Sequence, residues 1–325
     1  MTHQPCRESG VLVINKTVGM TSHDVCAAVK RHFRVAKAGH VGTLDPLATG
    51  VLPVCVNEAT KLVQFLMHQD KEYRCTMELG VTTDTHDREG AVIARCTDIP
   101  EDPALIQRTL MALRGDRWQI PPMFSALKQN GIPLYRLARS GATVQRQPRR
   151  ISIKEIDVIA IEVPHVVFRV VCSAGTYVRT LCHEIGDLLG CGAHMVALER
   201  VRNGSFHIKR AVSCEELFAL PRSEALSRYL IPMPAALYGM PEITVCDSVA
   251  RKLQSGAPVT RGDIGDLQVP PCATGQQVKV LSRTGQLIGI VTPLPDGAQE
   301  CMPAWKTIRV FASREECGSA RRIYQ

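Results

Sequence analysis

The residues with the strongest claim to chemistry lie in Gly39-His40-Val41-Gly42-Thr43-Leu44-Asp45-Pro46-Leu47-Ala48-Thr49-Gly50. The run holds one carboxylate, Asp45, among three glycines and a proline. Gly tolerates positive φ, Pro fixes φ, and Pro46 drives Asp45 toward extended backbone, so the composition prescribes the loop's shape. The apolar stretch 50–56 that follows reads as a buried strand. A carboxylate on a stiff loop beside a core strand is well placed to act on a substrate. The plainer reading is an Asp-Pro turn in which Asp45 bonds nearby N–H groups, and local chemistry alone favours it. The remainder of the chain has to decide.

Four further groups of residues invite chemistry. Arg179 follows Ser173-Ala174-Gly175-Thr176-Tyr177-Val178 at a strand-to-helix junction, where a buried Arg needs a partner and a carboxylate is the natural one. Thr82-Thr83-Asp84-Thr85-His86-Asp87-Arg88-Glu89-Gly90 gathers acids and a His, but its spacing is not that of a calcium loop and one His is poor evidence for zinc; it reads as a solvated turn. From Lys128 to Arg150 the chain carries Lys128, Arg136, Arg139, Arg146, Arg149 and Arg150 with no acid, beside Tyr135, which marks an RNA-facing segment. Lys30, Arg31, His32, Arg34 and Lys37 suit both a helix C-terminus and phosphate contact.

Apolar periodicity supplies the elements that position these groups. Residues 11–14 read as a buried strand, and Ser22 as the N-cap of a helix with Val25, Val29 and Phe33 inward. A helix is expected after Asn57, with Leu62, Val63, Phe65 and Leu66 inward. Tyr73, Cys75, Met77 and Leu79 share one face of a strand over 71–80, headed by a Tyr of the kind that packs in the core with its hydroxyl at the rim. Asp102-Pro103 starts a helix with Leu105, Ile106, Leu110 and Leu113 inward, stopped by Gly115. Asn130-Gly131 marks a tight turn, and a short helix ending at Gly141 follows. Residues 151–163 and 166–172 pair as strands. A helix then turns Leu181, Ile185, Leu188 and Leu189 inward, and 195–202 is strand-like. The prolines between Pro221 and Pro241 suggest a linker to a β-rich module, built like a small barrel, with a short helix near 248–253. The tail from Ser313 is expected to be disordered.

The chain has 325 residues, room for one large domain and a smaller one. A net charge of +8 suits a polyanionic partner without specifying one. The 13 cysteines include no C-x-x-C pair, so they fit neither a zinc ribbon nor a disulfide framework and point to buried thiols in a reducing compartment. No apolar run approaches bilayer length and Met1 is followed by polar residues, so a cytoplasmic protein without a membrane anchor is expected.

Six segments, taken together and in order, resemble the tRNA pseudouridine synthase B family. They are Gly10-Val11-Leu12 with Lys16, Gly19 and Thr21-Ser22; Ala38 through Gly50; Lys71-Glu72-Tyr73-Arg74; Ser125-Ala126-Leu127-Lys128; Gly175 through Leu181; and Gly190-Cys191-Gly192-Ala193-His194. Thr17 departs from the proline the family usually has there. The resemblance implies an α+β fold: a mixed, mainly antiparallel central sheet with flanking helices, and a small β-barrel-like PUA domain at the C-terminus. The implied organisation is a catalytic domain over 10–230, with an RNA-binding insertion near 121–150, and a PUA-like domain over 237–312.

The activity implied is isomerisation of uridine 55 to pseudouridine in the T-loop of tRNA, without cofactor or metal, by a cytoplasmic monomer that needs no protein partner. Asp45 corresponds to the catalytic aspartate and Arg179 to its counter-ion. Tyr73 would stack on the flipped base and move a proton, while Tyr177 and Leu198 line the pocket. His40, Lys16 and Lys128 would bind substrate, although a loop His that only shapes its turn stays open. Two rival classes remain. One is a binding-only RNA protein, disfavoured by Asp45, Tyr73 and Arg179 occurring together. The other is a guide-RNA-dependent synthase of the dyskerin type, disfavoured by the short flanking sequences.

Overall fold

The computed structural model describes residues 6–142, 144–265, 273, 275–294 and 302–311. An eleven-stranded mixed sheet organises the larger part, in the path order Val212–Ser213, Gly10–Lys16, Thr49–Val56, Ala193–Asn203, Lys71–Leu79, His165–Cys172, Arg149–Glu162, Gly115–Gln119. Most neighbours are antiparallel. Thr49–Val56 and Ala193–Asn203 run parallel, joined by Glu199 opposite Thr49 and Arg200 opposite Gly50.

Alternation decides which side chains meet on each face. Tyr73, Cys75, Met77 and Leu79 point together into the main core, against the helices Ser22–Phe33, Pro103–Met111 and Val178–Leu189. Val11, Val13, Val51 and Cys55 point the other way, into a second core completed by Leu281, Leu287, Ile290 and Phe311.

Several expectations are corrected. Thr21 caps the first helix in a capping box with Asp24, which frees the Ser22 hydroxyl for another use. The segment after Asn57 is a 3-10 turn, Asn57–Leu62, followed by a short helix, Val63–Leu66. Leu105 and Leu188, expected inward, are 39% and 61% exposed, at the edges of their helices' apolar stripes. The proline-rich stretch 221–241 is no linker: it forms the helices Arg222–Tyr229 and Met233–Ala236 around Leu230–Pro232, which pairs with Gly10–Lys16. Pro221, Pro232 and Pro234 sit where helices begin, a position that needs no N–H donor, and Pro241 precedes the strand Glu242–Val245.

Beyond it, Glu242–Val245, Val278–Ser282, Leu287–Pro293 and Trp305–Val310 form a separate four-stranded sheet. The helix Asp247–Gln254 packs Val249, Ala250 and Leu253 against it. The tail from 313 lies outside the described residues.

Candidate active site

Every turn of the loop around Asp45 is tied down by a donor or acceptor from elsewhere. Asn203 donates from Nδ2 to the carbonyl of Val41 at 2.7 Å. Arg200 donates to the carbonyls of Gly42 at 3.0 Å and Thr43 at 3.4 Å, and through Nε to Val51 at 2.7 Å. The Ser22 hydroxyl accepts from the N–H of Leu44 and donates to its carbonyl. The carbonyl of Asp45 accepts from the N–H of Ala48, and that of Pro46 from the N–H of Gly19. Gly50, at φ 97°, lies so close to Arg200 that a Cβ there would come within 2.3 Å of the Arg200 carbonyl oxygen. Asp45 is therefore aimed by its surroundings, and flexibility of the loop is suppressed.

Lys16 belongs to the same scaffold. It was expected to bind substrate, yet its side chain turns inward at 1% exposure. Its ammonium donates to the carbonyls of Thr17, Met20 and Pro46 at 3.0, 2.8 and 3.1 Å. All three protons of the ammonium are thereby spent on backbone, and the turn is held although Thr17 stands where the family has proline. Burial lowers the Lys16 pKa to about 8, with Asp45 opposing the fall.

Arg179, the second residue of the helix Val178–Leu189, points back toward the loop, with Nη1 3.1 Å from the Asp45 carboxylate. The same nitrogen lies 3.3 Å from Asp87, and Nη2 donates to the carbonyl of Phe124. Asp87, in the segment expected to be a solvated turn, is 4% exposed; it also accepts from the Thr85 hydroxyl at 2.7 Å and the Glu89 N–H at 3.1 Å. Two carboxylates thus share one guanidinium. Burial pushes the Asp45 pKa above the usual aspartate value and Asp87 adds to the rise, while Arg179 and Lys16 oppose it. Behind this group His86 stacks on His183, ring centroids 4.0 Å apart. Burial, with His183, Arg179 and Arg146 adding to it, lowers the His86 pKa to about 4.

Tyr73 and Arg200 are cross-strand partners, and burial raises the Tyr73 pKa while Arg200 pulls it back. Tyr177 forms the N-cap position of the helix that carries Arg179, held by a two-way backbone pair with the Gln119 amide at 2.8 and 3.2 Å. Its ring lies 5.8 Å from the Arg179 guanidinium. Leu198 is 8% exposed, and its carbonyl accepts from Thr49 beside the loop. His40 is partly buried on the strand Ala38–His40, and its Nδ1 is buried without a partner among the described residues. Lys128 is exposed on the Lys128–Gln129 strand of a small hairpin. Among the described residues no group of three or more His, Cys, Asp or Glu is placed to hold a metal ion.

The arrangement is a carboxylate of raised pKa on a rigid loop, faced by a buried cation that lies 5.8 Å from the Tyr177 ring, with Tyr73 within electrostatic reach of Asp45. Family comparison gives this geometry its context. A model of the TruB family pseudouridylate synthase N-terminal domain matches residues 30–178, and a model of the tRNA pseudouridylate synthase B C-terminal domain matches 179–238. A relative from Syntrophotalea carbinolica named tRNA pseudouridine synthase B is 42% identical over 303 residues, 93% of this chain and 98% of the relative.

The chain belongs to the TruB family of pseudouridylate synthases.

It is accordingly an isomerase. A relative of the same name from Geobacter sulfurreducens is 40% identical and covers 93% of this synthase and 99% of the relative. Among solved structures, a Cbf5-Nop10-Gar1 complex matches with TM-score 0.72 and 29% identity over 94% of this chain and 86% of that one. An H/ACA RNP bound to a substrate RNA containing 2′-deoxyuridine matches with TM-score 0.72 and 27% identity, at the same coverage of both chains.

Two residues central to this TruB-family site escaped sequence reasoning. Arg200 sits in an ordinary-looking strand, and only its 1% exposure reveals that it organises the loop. Asp87 is 92 positions from Arg179, and nothing local distinguishes it from a surface acid. The one available signal was the need of a buried Arg for carboxylate partners, which the Asp45 pairing satisfies only in part.

Proposed function

We propose that this synthase converts uridine 55 of the tRNA T-loop to pseudouridine, with Asp45 as the group that acts on the target nucleotide and without a cofactor. The name the relatives carry supports tRNA as the substrate, and the choice of uridine 55 rests on the resemblance to the family. The observation that carries the residue assignment is the Asp45 carboxylate held 3.1 Å from Arg179 beside Tyr73 and Tyr177. A base paired or stacked in RNA cannot reach such a recessed group, so the uridine leaves its stack, at a cost of roughly a few kcal/mol.

Within the site the N1–C1′ bond breaks, the uracil turns, and C5 bonds to C1′; the proton displaced from C5 is replaced by one on N1. Asp45 serves this exchange by attack on C1′, by addition to the base, or by taking a ribose proton. Each route requires the ionised carboxylate that Arg179 favours. Tyr73 stacks on the turning base and is placed for the C5 proton, with Tyr177 and Leu198 closing the pocket. His40, with its free Nδ1, holds the opened RNA loop, and Lys128 on the 121–150 insertion meets phosphate. In this reading residues 10–230 are the catalytic domain and 237–312 a PUA-like RNA-binding domain, and the enzyme works as a cytoplasmic monomer.

Asp45→Asn tests the assignment. Tritium release from C5-labelled uridine in tRNA is expected to vanish while thermal unfolding and tRNA binding stay near wild type; wild-type turnover would remove Asp45 from the chemistry. The H/ACA likeness favours a second reading, action only within a guide-RNA complex. Turnover of unmodified tRNA by the purified chain alone excludes that reading, and inertness restored by added components supports it. Binding is expected to weaken steeply with salt, because phosphate contacts release counterions; an affinity constant across a several-fold rise in salt contradicts the RNA surface.

A further inference from the structure

A second surface of this chain carries the marks of nucleic-acid binding and has no part in the site around Asp45. A bulge between Arg200 and Arg202 places them on opposite sides of the sheet: Arg200 pairs with Tyr73, and Arg202 with Glu72. On the Arg202 side a cleft of about 840 Å³ runs between the catalytic sheet and the 228–238 segment, lined by His68, Arg202, Phe206, Arg210, Arg228 and Tyr229. A smaller cleft of about 300 Å³ shares Gln69 and Tyr238 with it and extends to Gln276 and Gln277 of the C-terminal module.

The lining suits a flexible polyanion that carries rings. Among the described residues the only acid on the wall, Asp70, is engaged by Lys154. Arg202 is tied to Glu72 at 3.1 Å and serves mainly to build the wall. Arg210 and Arg228 are exposed and make no ion pair among the described residues. The Arg228 guanidinium lies 5.1 Å over the ring of Tyr229, whose hydroxyl is anchored on Glu216 at 2.9 Å. Tyr238, which lines both clefts, is 78% exposed and presents its ring to solvent. Exposed guanidinium groups beside an open aromatic ring are what single-stranded nucleic acid requires: cations follow the phosphates and rings stack on bases with little regard to sequence. A small anion has no use for a cleft of about 840 Å³, and an acidic peptide has none for the exposed ring.

We propose that this channel binds a single-stranded segment of the RNA, outside the loop that carries the target uridine. The proposal rests on the reading of the chain as an RNA-modifying enzyme.

The test uses the full chain and two RNAs: a T-arm hairpin, and the same hairpin with a single-stranded tail of about 8 nucleotides, within the site size of one single-strand-binding module, placed at either end in turn. Fluorescence anisotropy is expected to show several-fold tighter binding of one tailed hairpin by the wild type. Arg210→Glu with Arg228→Glu, and separately Tyr238→Ala, are expected to abolish that gain while affinity for the bare hairpin and its rate of conversion stay unchanged. Equal affinity for bare and tailed hairpins in the wild type overturns the proposal, as does retention of the gain in both variants. Displacement of the tail by polyglutamate as readily as by oligouridylate overturns it too, since a surface that reads charge alone leaves Tyr238 without a role. If the bare hairpin is not converted by wild type, the enzymatic reading fails instead, and the two failures are told apart.

Discussion

Arg179 lies 3.1 Å from Asp45 and 3.3 Å from Asp87, so one cation serves two carboxylates. Burial and Asp87 raise the Asp45 pKa, whereas Arg179 and Lys16 lower it. A reaction that needs the ionised carboxylate slows as pH falls through that pKa. Removal of the Arg179 charge moves the loss of activity to higher pH. The acid limb of kcat/KM, followed by tritium release, is therefore expected to shift upward in Arg179→Met, with kcat reduced; an unmoved limb would detach Arg179 from the Asp45 ionisation. The same change strands Asp87, only 4% exposed, and is expected to cost about 3–5 kcal/mol in denaturant unfolding, as for other broken buried pairs.

His86 gives a separate pH effect. Its folded-state pKa of about 4 lies below the ordinary 6.5, so between those values the unfolded chain binds the proton and the folded one does not. This contribution to stability is present above about pH 6.5 and is lost as pH falls toward about 4. His86→Gln is expected to flatten the fall in melting temperature over that interval. At this scale the sequence was legible where a residue's environment is local. Gly42 and Pro46 announced a shaped loop around Asp45, but it took Tyr73, Tyr177 and Arg179 elsewhere in the chain to single out the carboxylate. Asp87 and His86 sit among threonines and acids typical of a solvated loop, and only the distant Arg179 and His183 bury them.

Among the elements, the loop around Asp45 depends on anchors that touch no substrate. Lys16→Met leaves the carbonyls of Thr17, Met20 and Pro46 without their shared donor. The expected loss is about 1–3 kcal/mol of stability. Turnover should fall further than tRNA affinity, a split that kcat and Kd measured on the same preparation would show. Gly50→Ala meets both a left-handed backbone and the Arg200 carbonyl 2.3 Å away, so a lower melting temperature and weak activity are expected together. Strand and helix periodicity made the Lys71–Leu79 strand and the Pro103–Met111 helix legible. Proline content misled at 221–241, because the same residue that ends helices also opens them, and only pairing of Leu230–Pro232 with Gly10–Lys16 shows which role applies.

Across the whole molecule, the C-terminal sheet is more than an appended module. Phe311 and Ile290 are fully buried in the core that also holds Val11, Val13 and Val51, and the Lys61 ammonium lies 5.9 Å from the Phe311 ring. A chain ending before residue 242 is expected to expose that core; a lower melting temperature and aggregation, measured by light scattering on heating, would show it. Separate periodicities of the two parts gave two modules in the sequence. Their shared core was not legible, because residues such as Val11 and Ile290 carry no sign of which partner they meet.

The latches on the catalytic loop have a consequence for how the protein is made. Arg200 and Asn203 reach the loop from 149 to 162 positions further along the chain. A nascent chain on the ribosome can already have released the Asp45 segment while these anchors are still unsynthesised. Contacts of such sequence separation close slowly, so the loop sets late. Competence thus arrives as a delayed event in the life of each molecule. In a refolding time course, tritium release is expected to lag behind the recovery of helical circular dichroism.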